Sequence, residues 1–357
     1  MNDFYTIEIA EVRKETKDCT VITFDIPAEL KQIFSYKQGQ YLTIKIVIDG
    51  EEIRRSYSLC SSPVEDLWQV AVKRIDGGLF SNYACNILKK GDRLEVSPPN
   101  GSFFTEVDAT ISKNYTVFAA GSGITPILSI IKTHLALEPK STFKLFYLNR
   151  TVKSIIFKEE IEALRNTYFG RFEIFYFLTK EHRDIPLLNG RFTSEKLKEL
   201  TSKVIHVPEV DECFICGPEA MIFLIRDELE IAGLSRDNIH YELFYTEGSE
   251  KDKKSVATAI EQKFDGTRVT IIDGGKEFHF GMSDAYDNIL DGALAAGADL
   301  PFACKGGVCS TCKCKLVSGN VEMKINYALE EDEVTKGLVL SCQAVPTTEK
   351  VVVDFDV

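Results

Sequence analysis

The chain has 357 residues, of which 44% are hydrophobic, and a formal net charge of -12. At roughly 150 residues per domain, this length predicts two or three domains. The acidic balance argues against nucleic acid as a partner. No apolar run reaches the roughly 18 residues that span a bilayer, and the N-terminus has no apolar signal segment, so we expect a cytoplasmic protein without membrane insertion.

Residues 1–108 contain six short runs in which apolar and polar residues alternate. Such runs, separated by turn residues such as Asp49-Gly50, predict a small antiparallel β-barrel with one inserted helix. The predicted strands are residues 4–12, 19–26, 41–48, 53–60, 68–75 and 93–96, and the helix is residues 80–88.

One stretch of this barrel combines a charge, a ring and a hydroxyl. Arg55 and Tyr57 share one face of a predicted strand, and Ser58 follows them. Such a trio can hold a phosphate, cover a flat ring and reach its polar edge. An Arg–Tyr pair on a strand is more often a plain cross-strand contact, so this stretch alone is a weak indication.

A second stretch leads from a strand into glycines at a helix N-terminus. The free amides of such a terminus bind anions such as a pyrophosphate, and the two stretches therefore support each other. The candidate binding residues here are Val72, Lys73, Gly77, Gly78, Leu79 and Ser81.

Residues 109–245 alternate strands with helices, which predicts a parallel sheet covered on both faces and a nucleotide site at the strands' C-terminal ends. The predicted strands are residues 115–120, 143–148, 172–178, 213–216 and 239–244. The predicted helices are residues 126–137, 158–167, 194–203 and 218–232.

Three loops follow strands of this predicted sheet. In residues 121–126, Gly121 and Gly123 can present amides to a phosphate, with Thr125 as N-cap and Pro126 at the first helical position. A glycine-rich cap that binds nothing is the alternative.

The loop of Cys216, Gly217 and Pro218 has the same design, and the small Cys216 side chain would stand where a nicotinamide ring could lie. Arg150, after the second strand, could pair with a 2′-phosphate, which favours NADPH over NADH; an exposed surface arginine is the alternative.

Residues 246–258 carry almost no large apolar side chains and predict a flexible tether. Residues 259–357 follow, with strands at 263–272 and 276–280 and a helix at 288–296. This last part holds 16 acidic and 9 basic side chains, which favours a docking partner with a basic patch; a merely solvated face is the alternative.

Four cysteines in this last part have a diagnostic spacing. Cys304, Cys309 and Cys312 are separated by four and two residues, and Cys342 follows about thirty residues later, as in plant-type 2Fe-2S ferredoxins. A zinc ribbon is the alternative, although zinc sites favour two paired Cys-x-x-Cys knuckles. Cys314 does not fit the spacing and is predicted to be a strand residue.

These motifs together resemble those of the ferredoxin-NADP reductase superfamily, with a plant-type ferredoxin domain fused at the C-terminus. The matching stretches are residues 55–58 and 77–81 for the flavin, residues 121–126 and 216–218 for the nicotinamide nucleotide, and the four cysteines for the cluster. The resemblance implies a multi-domain fold: an FAD-binding antiparallel β-barrel (1–108), an α/β nucleotide-binding domain (109–245), a linker (246–258) and an α+β β-grasp 2Fe-2S domain (259–357).

The same resemblance implies FAD, a 2Fe-2S cluster and NADPH as cofactors, with NADH as the alternative to NADPH. Arg55 would bind the FAD pyrophosphate, Tyr57 would pack on the isoalloxazine, and Ser58 would approach its N5 edge. Thr125 and Cys216 would flank the nicotinamide, so that Ser58, Thr125 and Cys216 are the predicted catalytic residues. Arg150 would take the 2′-phosphate, and Phe244 would cover the other flavin face.

Physical chemistry indicates the same order of events. A hydride carries two electrons, whereas a 2Fe-2S cluster accepts one at a time, and a flavin can take the pair and release the electrons singly. Every motif serves electron transport, so we expect a reductase that feeds a separate oxygenase or hydroxylase component. A self-contained reductase of a small organic substrate and a redox sensor are the alternatives.

Overall fold

The computed structural model describes residues 4–244, 266–283 and 285–356. By mutual contacts the chain divides into two compact units. The first holds Tyr5–Glu51 and Tyr57–Phe244, and the second holds the described residues after position 265 with Phe4 and Glu52–Ser56. The predicted tether at 246–258 lies outside the described residues, and the domain boundaries remain a prediction. Within the described ranges, no helix is both long and apolar enough to cross a membrane.

The first sheet has six strands in the order β4-β3-β6-β1-β2-β5. The strand β1 ends four residues later than predicted, because register shifts against β2 let it continue past the point where its apolar alternation fades. The elements are β1 (Tyr5–Thr16), β2 (Cys19–Asp25), β3 (Tyr41–Ile48), β4 (Glu51–Ser58), β5 (Trp68–Lys73), α1 (Leu79–Asn86) and β6 (Arg93–Val96).

The second sheet has five parallel strands in the order β11-β10-β7-β8-β9. The chain order reverses beside β7, so the crevice at the C-terminal ends of β7 and β10 is where such a sheet binds its ligand. The strands are β7 (Asn114–Ala120), β8 (Thr142–Asn149), β9 (Phe172–Leu178), β10 (Glu212–Gly217) and β11 (Ile239–Leu243). The helices are α2 (Ile124–Leu137), α3 (Lys158–Thr167), α4 (Ser194–Lys203) and α5 (Glu219–Ile231).

The helix α2 begins two residues earlier than predicted, so the expected N-cap at Thr125 is wrong. A tight 3-10 turn at Gly121–Gly123 leads directly into the helix, and Gly123 takes the cap position. Pro126 is tolerated at the third helical position because the first-turn amides have no partner within the helix. The Thr125 hydroxyl donates instead to the Ser122 carbonyl at 3.0 Å.

The second unit is built on a mixed sheet in the order β13-β12-β18-β14-β16, in which β12 and β18 run parallel. Cys314 lies in β14, as predicted, and its side chain is buried. The elements are β12 (Arg268–Asp273), β13 (Lys276–Gly281), α6 (Ile289–Ala295), β14 (Lys313–Ser318), β15 (Val321–Met323), α7 (Glu331–Thr335), β16 (Leu338–Leu340), β17 (Ala344–Pro346) and β18 (Lys350–Asp354).

Candidate functional site

Two aromatic residues from the candidate flavin stretches meet in the first unit. The rings of Tyr57, at the end of β4, and Phe80, in the first turn of α1, lie 5.4 Å apart. Tyr57 is half-buried, so part of its surface is open to a ligand. Arg55 is also half-buried, and its Nη1 donates to the Arg54 carbonyl at 2.8 Å.

The loop before α1 is held by two side chains of that helix. The Ile75 amide donates to Ser81 Oγ at 3.1 Å, and Asn82 Nδ2 donates to the Ile75 and Gly78 carbonyls at 2.9 and 2.7 Å. Gly77 has a φ of +78°, which favours glycine. The structure therefore uses the predicted residue Ser81 to shape the loop, and Gly78, as N-cap without a side chain, leaves the first amides of α1 to other acceptors.

The other predicted residues of this stretch differ in position. Val72 is fully buried, and Leu79 is 42% exposed. Lys73 lies beside the nucleotide loop, since a Cβ added to Gly121 would stand 3.1 Å from Lys73 Nζ. Burial, and after it the like charge of Arg150, lowers the pKa of Lys73. The cationic side chains of Lys73 and Arg150 are thus near each other at the C-terminal end of the parallel sheet. Two neighbouring cations suit the binding of a phosphate.

The nucleotide loop is pinned to both neighbouring strands. Tyr147 Oη donates to the Gly121 carbonyl at 2.9 Å, and Gly121 has a φ of +55°. A Cβ at Gly123 would stand 2.3 Å from the Cys216 carbonyl oxygen. The loop after β7 and the loop after β10 are therefore in direct contact, and that contact requires glycine.

The loop after β10 is equally close-packed. A Cβ at Gly217 would stand 2.7 Å from Met221 Cε, and Pro218 is the N-cap of α5. The Phe244 amide donates to the Gly217 carbonyl at 3.5 Å, which places Phe244 beside this loop, where it packs against the core.

An acidic side chain that the sequence analysis missed lies at the centre of this site. Glu242 on β11 is the strand partner of Cys216 on β10, and Ser58 Oγ donates to Glu242 Oε2 at 3.1 Å. Part of the residue reaches solvent, but its carboxyl is desolvated, and this raises the pKa of Glu242 to about 8 against the opposing effect of the Ser58 hydrogen bond. At neutral pH the group is mainly a neutral acid.

This arrangement brings two of the three predicted catalytic residues, Ser58 and Cys216, to one carboxyl. Cys216 is fully buried, and burial first, then the charge of Glu242, raises the pKa of its thiol well above the ordinary value. The thiol therefore stays protonated and is not a nucleophile. The only sequence signal for Glu242 was an acidic residue near the end of the predicted strand at 239–244.

The four predicted cluster ligands are paired in the second unit. The thiol of Cys309 pairs with that of Cys304 and lowers the pKa of Cys304, and the thiol of Cys312 likewise pairs with that of Cys342 and lowers its pKa. Cys304 and Cys309 are partly exposed, whereas Cys312 and Cys342 are buried. In the part of the chain that the structure describes, no three His, Cys, Asp or Glu side chains converge to hold one metal ion. Two pairs of thiols suit a dinuclear cluster better than a single zinc.

The cluster loop has the unusual backbone that such a site needs. Lys305, Gly307 and Ser310 all have φ between +50° and +77°. The Gly306 amide donates to Cys304 Sγ at 3.3 Å, and Gln343 Nε2 holds the Lys305 carbonyl at 2.9 Å. Non-glycine residues in this region are strained, and strain of this kind gathers at functional loops.

Three family models match the chain. They are described as oxidoreductase FAD-binding domain (residues 6–105), oxidoreductase NAD-binding domain (residues 117–227) and 2Fe-2S iron-sulfur cluster binding domain (residues 271–347). With the site geometry, they define a flavin- and nicotinamide-nucleotide-dependent reductase that carries a 2Fe-2S domain. The predicted fold class and the three cofactor types are confirmed.

The relatives identify the family. The chain is 43% identical over 356 residues to a 1,2-phenylacetyl-CoA epoxidase subunit of Escherichia coli K12, covering 100% of this chain and 99% of that protein. It is 33% identical over 354 residues to the ferredoxin reductase component of 3-ketosteroid-9-alpha-monooxygenase of Rhodococcus rhodochrous, covering 98% and 96%. The chain therefore belongs to the family of oxygenase reductase components that includes these two proteins.

A solved structure has the same architecture. Phthalate dioxygenase reductase matches with a TM-score of 0.60 and 25% identity over 99% of this chain and 98% of that one. A type IV self-sufficient cytochrome P450 monooxygenase shares the fold, with a TM-score of 0.69 and 20% identity over 99% of this chain and 42% of that one.

Proposed function

We propose that this protein passes electrons from NADPH through FAD and a 2Fe-2S cluster to the oxygenase component of a phenylacetyl-CoA epoxidase. The observation that carries the electron-transfer part is the meeting of Ser58, Cys216 and the neutral acid Glu242 where two nucleotide loops touch. The flavin is assigned to residues 1–108, the nucleotide to 109–245 and the cluster to 259–357, with residues 246–258 as the linker. Ten free cysteines fit a cytoplasmic protein.

The residues of the barrel fit a flavin. Tyr57, supported by Phe80, would cover the ring, and Arg55 with the uncapped first turn of α1 would hold the pyrophosphate. Ser58 would meet the N5 edge while Glu242 holds its hydroxyl in place. Phe244 would lie on the opposite ring face. A flavin bound there supplies the capacity to accept a hydride and release electrons one at a time.

The residues of the parallel sheet fit NADPH. The loop of Gly121 and Gly123 would bind the pyrophosphate, and Gly217 and Pro218 would border the nicotinamide beside Cys216 and Thr125. Lys73 and Arg150 would together hold phosphate charge, and their mutual repulsion without a ligand supports this role. A dianionic 2′-phosphate relieves that repulsion, whereas the neutral hydroxyl of NADH does not.

The two thiol pairs fit the cluster, and their different exposure suggests from which side an electron would leave it. Cys304 and Cys309 form the partly exposed pair, and Cys312 and Cys342 form the buried pair. The exposed pair would face the partner. Acidic side chains near this loop already have lysine partners, as in Asp291 with Lys305 at 3.0 Å and Glu333 with Lys313 at 3.1 Å. The partner surface would therefore be mixed in charge rather than uniformly basic.

Sequence identity supports phenylacetyl-CoA epoxidase as the partner system. The 43% identity to the epoxidase protein extends over the whole chain, against 33% for the ketosteroid monooxygenase reductase. A reductase for a different oxygenase is the second candidate, since relatives of this family serve several oxygenases.

Reconstitution tests this function directly. We expect the purified protein to show both flavin and cluster absorption, to oxidise NADPH with ferricyanide, and to support epoxide formation when O2, phenylacetyl-CoA and the catalytic subunits of the epoxidase are added. NADPH oxidation with ferricyanide but without coupled epoxide formation would show that the partner is wrong. Absence of NADPH oxidation by the cofactor-loaded protein would overturn the electron-transfer function itself.

A further inference from the structure

A group of buried serine and threonine residues connects the segment after β4 to the helix α2 in the first unit. One side of it is the segment just after β4, with Ser61 and Ser62, and the other is the face of α2 that carries Ser129 and Thr133. All four side chains are at most 2% exposed. Together they are called the hydroxyl seam.

The hydrogen bonds of the hydroxyl seam have a defined direction. Thr133 Oγ1 donates to the Ser129 carbonyl at 2.7 Å, so in its 2.7 Å contact with Ser62 Oγ it accepts. The Val64 amide donates to Ser62 Oγ at 3.4 Å. Ser129 Oγ donates to the Ser61 carbonyl at 2.6 Å. The Ser61 hydroxyl donates to the Leu67 carbonyl at 2.8 Å, so Ser61 contacts α2 through its carbonyl. Each of the four hydroxyl protons therefore has one acceptor.

A cation continues the same contact at the edge of the hydroxyl seam. Lys132 on α2 lies 2.8 Å from Glu65, which follows Ser62, and 2.7 Å from Glu160 on α3. Its side chain is only 10% exposed. The α2 helix is thereby fixed to the segment after β4 by two hydroxyl contacts and one ion pair.

The position of the hydroxyl seam connects it to the proposed hydride transfer. Ser61 follows Ser58 by three residues, and Ser129 follows Thr125 by one helical turn, about 6 Å along the helix. The seam therefore joins the chain segments that carry the flavin-edge and nicotinamide-edge residues, close to both. An apolar contact of equal area would hold these two segments together without fixing their relative orientation. Hydrogen bonds fix that orientation, because they depend on distance and angle.

We propose that the hydroxyl seam sets the distance between the flavin edge and the nicotinamide, with Ser62 and Thr133 as positioning residues for hydride transfer. This inference rests on the proposed function. None of its four residues is a predicted cofactor-binding residue, so its effect would be on geometry. Misplacement of reacting groups by about 1 Å can lower a rate by about a hundredfold.

Isosteric removal of one hydroxyl tests the proposal. Thr133→Val keeps the shape of the side chain but leaves the Ser62 hydroxyl without its acceptor. We expect the anaerobic rate of flavin reduction by NADPH, measured by stopped flow, to fall about tenfold, with a changed primary isotope effect from C4-deuterated NADPH. The Kd for NADPH and the FAD content should stay unchanged, and Thr133→Ser, which restores the hydroxyl, should recover the rate.

Matched variants separate positioning from stability. Ser141→Ala removes another buried hydroxyl, one that accepts from the Lys113 amide at 3.0 Å away from the hydroxyl seam; it should lower Tm without changing hydride transfer. Ser62→Ala should slow hydride transfer like Thr133→Val, and it carries the test if Thr133→Val does not fold. Wild-type hydride rates in Thr133→Val and Ser62→Ala, with lowered Tm only, would overturn the seam proposal and leave the proposed function intact. Failure of the wild-type protein to reduce its flavin would overturn both.

Discussion

The cluster loop and the flavin–nucleotide site are assembled in different ways. Three of the four predicted cluster ligands lie within nine residues, and the fourth comes from one further segment. The candidate flavin–nucleotide site draws on the ends of β4, β5, β7, β8, β10 and β11, which meet only because the strands are ordered as they are. A local site depends on its ligands, whereas a dispersed site depends equally on close backbone approaches such as that of Gly123 to Cys216.

Removal of a cluster ligand should have the largest and most selective effect. We expect Cys304→Ala to lower reduction of cytochrome c or of the oxygenase by at least about a hundredfold, because even residues that only orient a metal ligand are worth about 10–100-fold. Ferricyanide reduction by NADPH should remain close to wild type. The buried Cys314→Ala is the matched control and should change neither activity. Equal loss of both activities in Cys304→Ala would contradict a local cluster site.

Removal of the paired cations should come next. We expect Arg150→Ala and Lys73→Ala each to lower kcat/KM for NADPH by about 10–100-fold while leaving that for NADH nearly unchanged, since a hydrogen bond to a charged group contributes about 1.5–3 kcal/mol. Lys153→Ala, at an exposed lysine on the turn after Arg150, is the control. An unchanged preference between NADPH and NADH in Arg150→Ala would remove the 2′-phosphate role.

A methyl group at the contact of the two nucleotide loops should force their backbones apart and so disturb the flavin–nucleotide site. Gly123 has a φ of -60°, which alanine accepts, so only the 2.3 Å approach to the Cys216 carbonyl opposes the substitution. We expect Gly123→Ala to lower the free energy of unfolding by about 1–3 kcal/mol and to weaken NADPH binding. Gly281→Ala, where a Cβ meets open space, should do neither in denaturant and binding titrations. Wild-type behaviour of Gly123→Ala would mean that the loops are not in contact.

Ionisation of Glu242 should have the smallest effect of the four on stability and on hydride transfer near neutral pH. Its pKa is raised to about 8 in the folded protein, so between the ordinary carboxyl pKa and about 8 the folded state holds more protons than the unfolded state. Stability from this group is therefore present at low pH and lost as pH rises through that range. Hydride transfer should also fall above about pH 8, because the ionised carboxylate would repel the negative charge that a flavin gains on reduction.

Glu242→Gln isolates this contribution. The amide stays neutral, so the variant should lose the alkaline fall in the rate of flavin reduction and should gain stability relative to wild type between pH 7 and pH 9. The two proteins should be nearly equal at pH 5 in both measurements. A rate profile that falls equally in both proteins above pH 8 would assign the titration to another group.

Sequence patterns predicted most elements because their signals were local. The bounds of α3, α4, β3, β6 and β9 match the structure to the residue, since periodic apolar positions and turn residues mark both ends. The start of α2 was missed because the 3-10 turn at Gly121–Gly123 depends on the Tyr147 hydroxyl, which comes from a neighbouring strand. The length of β1 was missed because register shifts against β2 cannot be read from one strand alone.

The sequence by itself predicted the four cluster thiols and the flavin and nucleotide motifs, and it determined the fold class, because each follows from spacing, periodicity or a family resemblance carried by short stretches. Only the tertiary structure placed Lys73 beside Gly121 and Arg150, Glu242 beside Ser58 and Cys216, and the Ser129 and Thr133 hydroxyls against Ser61 and Ser62. The physical reason is that burial and charge pairing depend on which distant segments meet. A lysine, a glutamate and a helical threonine look like ordinary surface or core residues until the strand order brings their partners within hydrogen-bond distance.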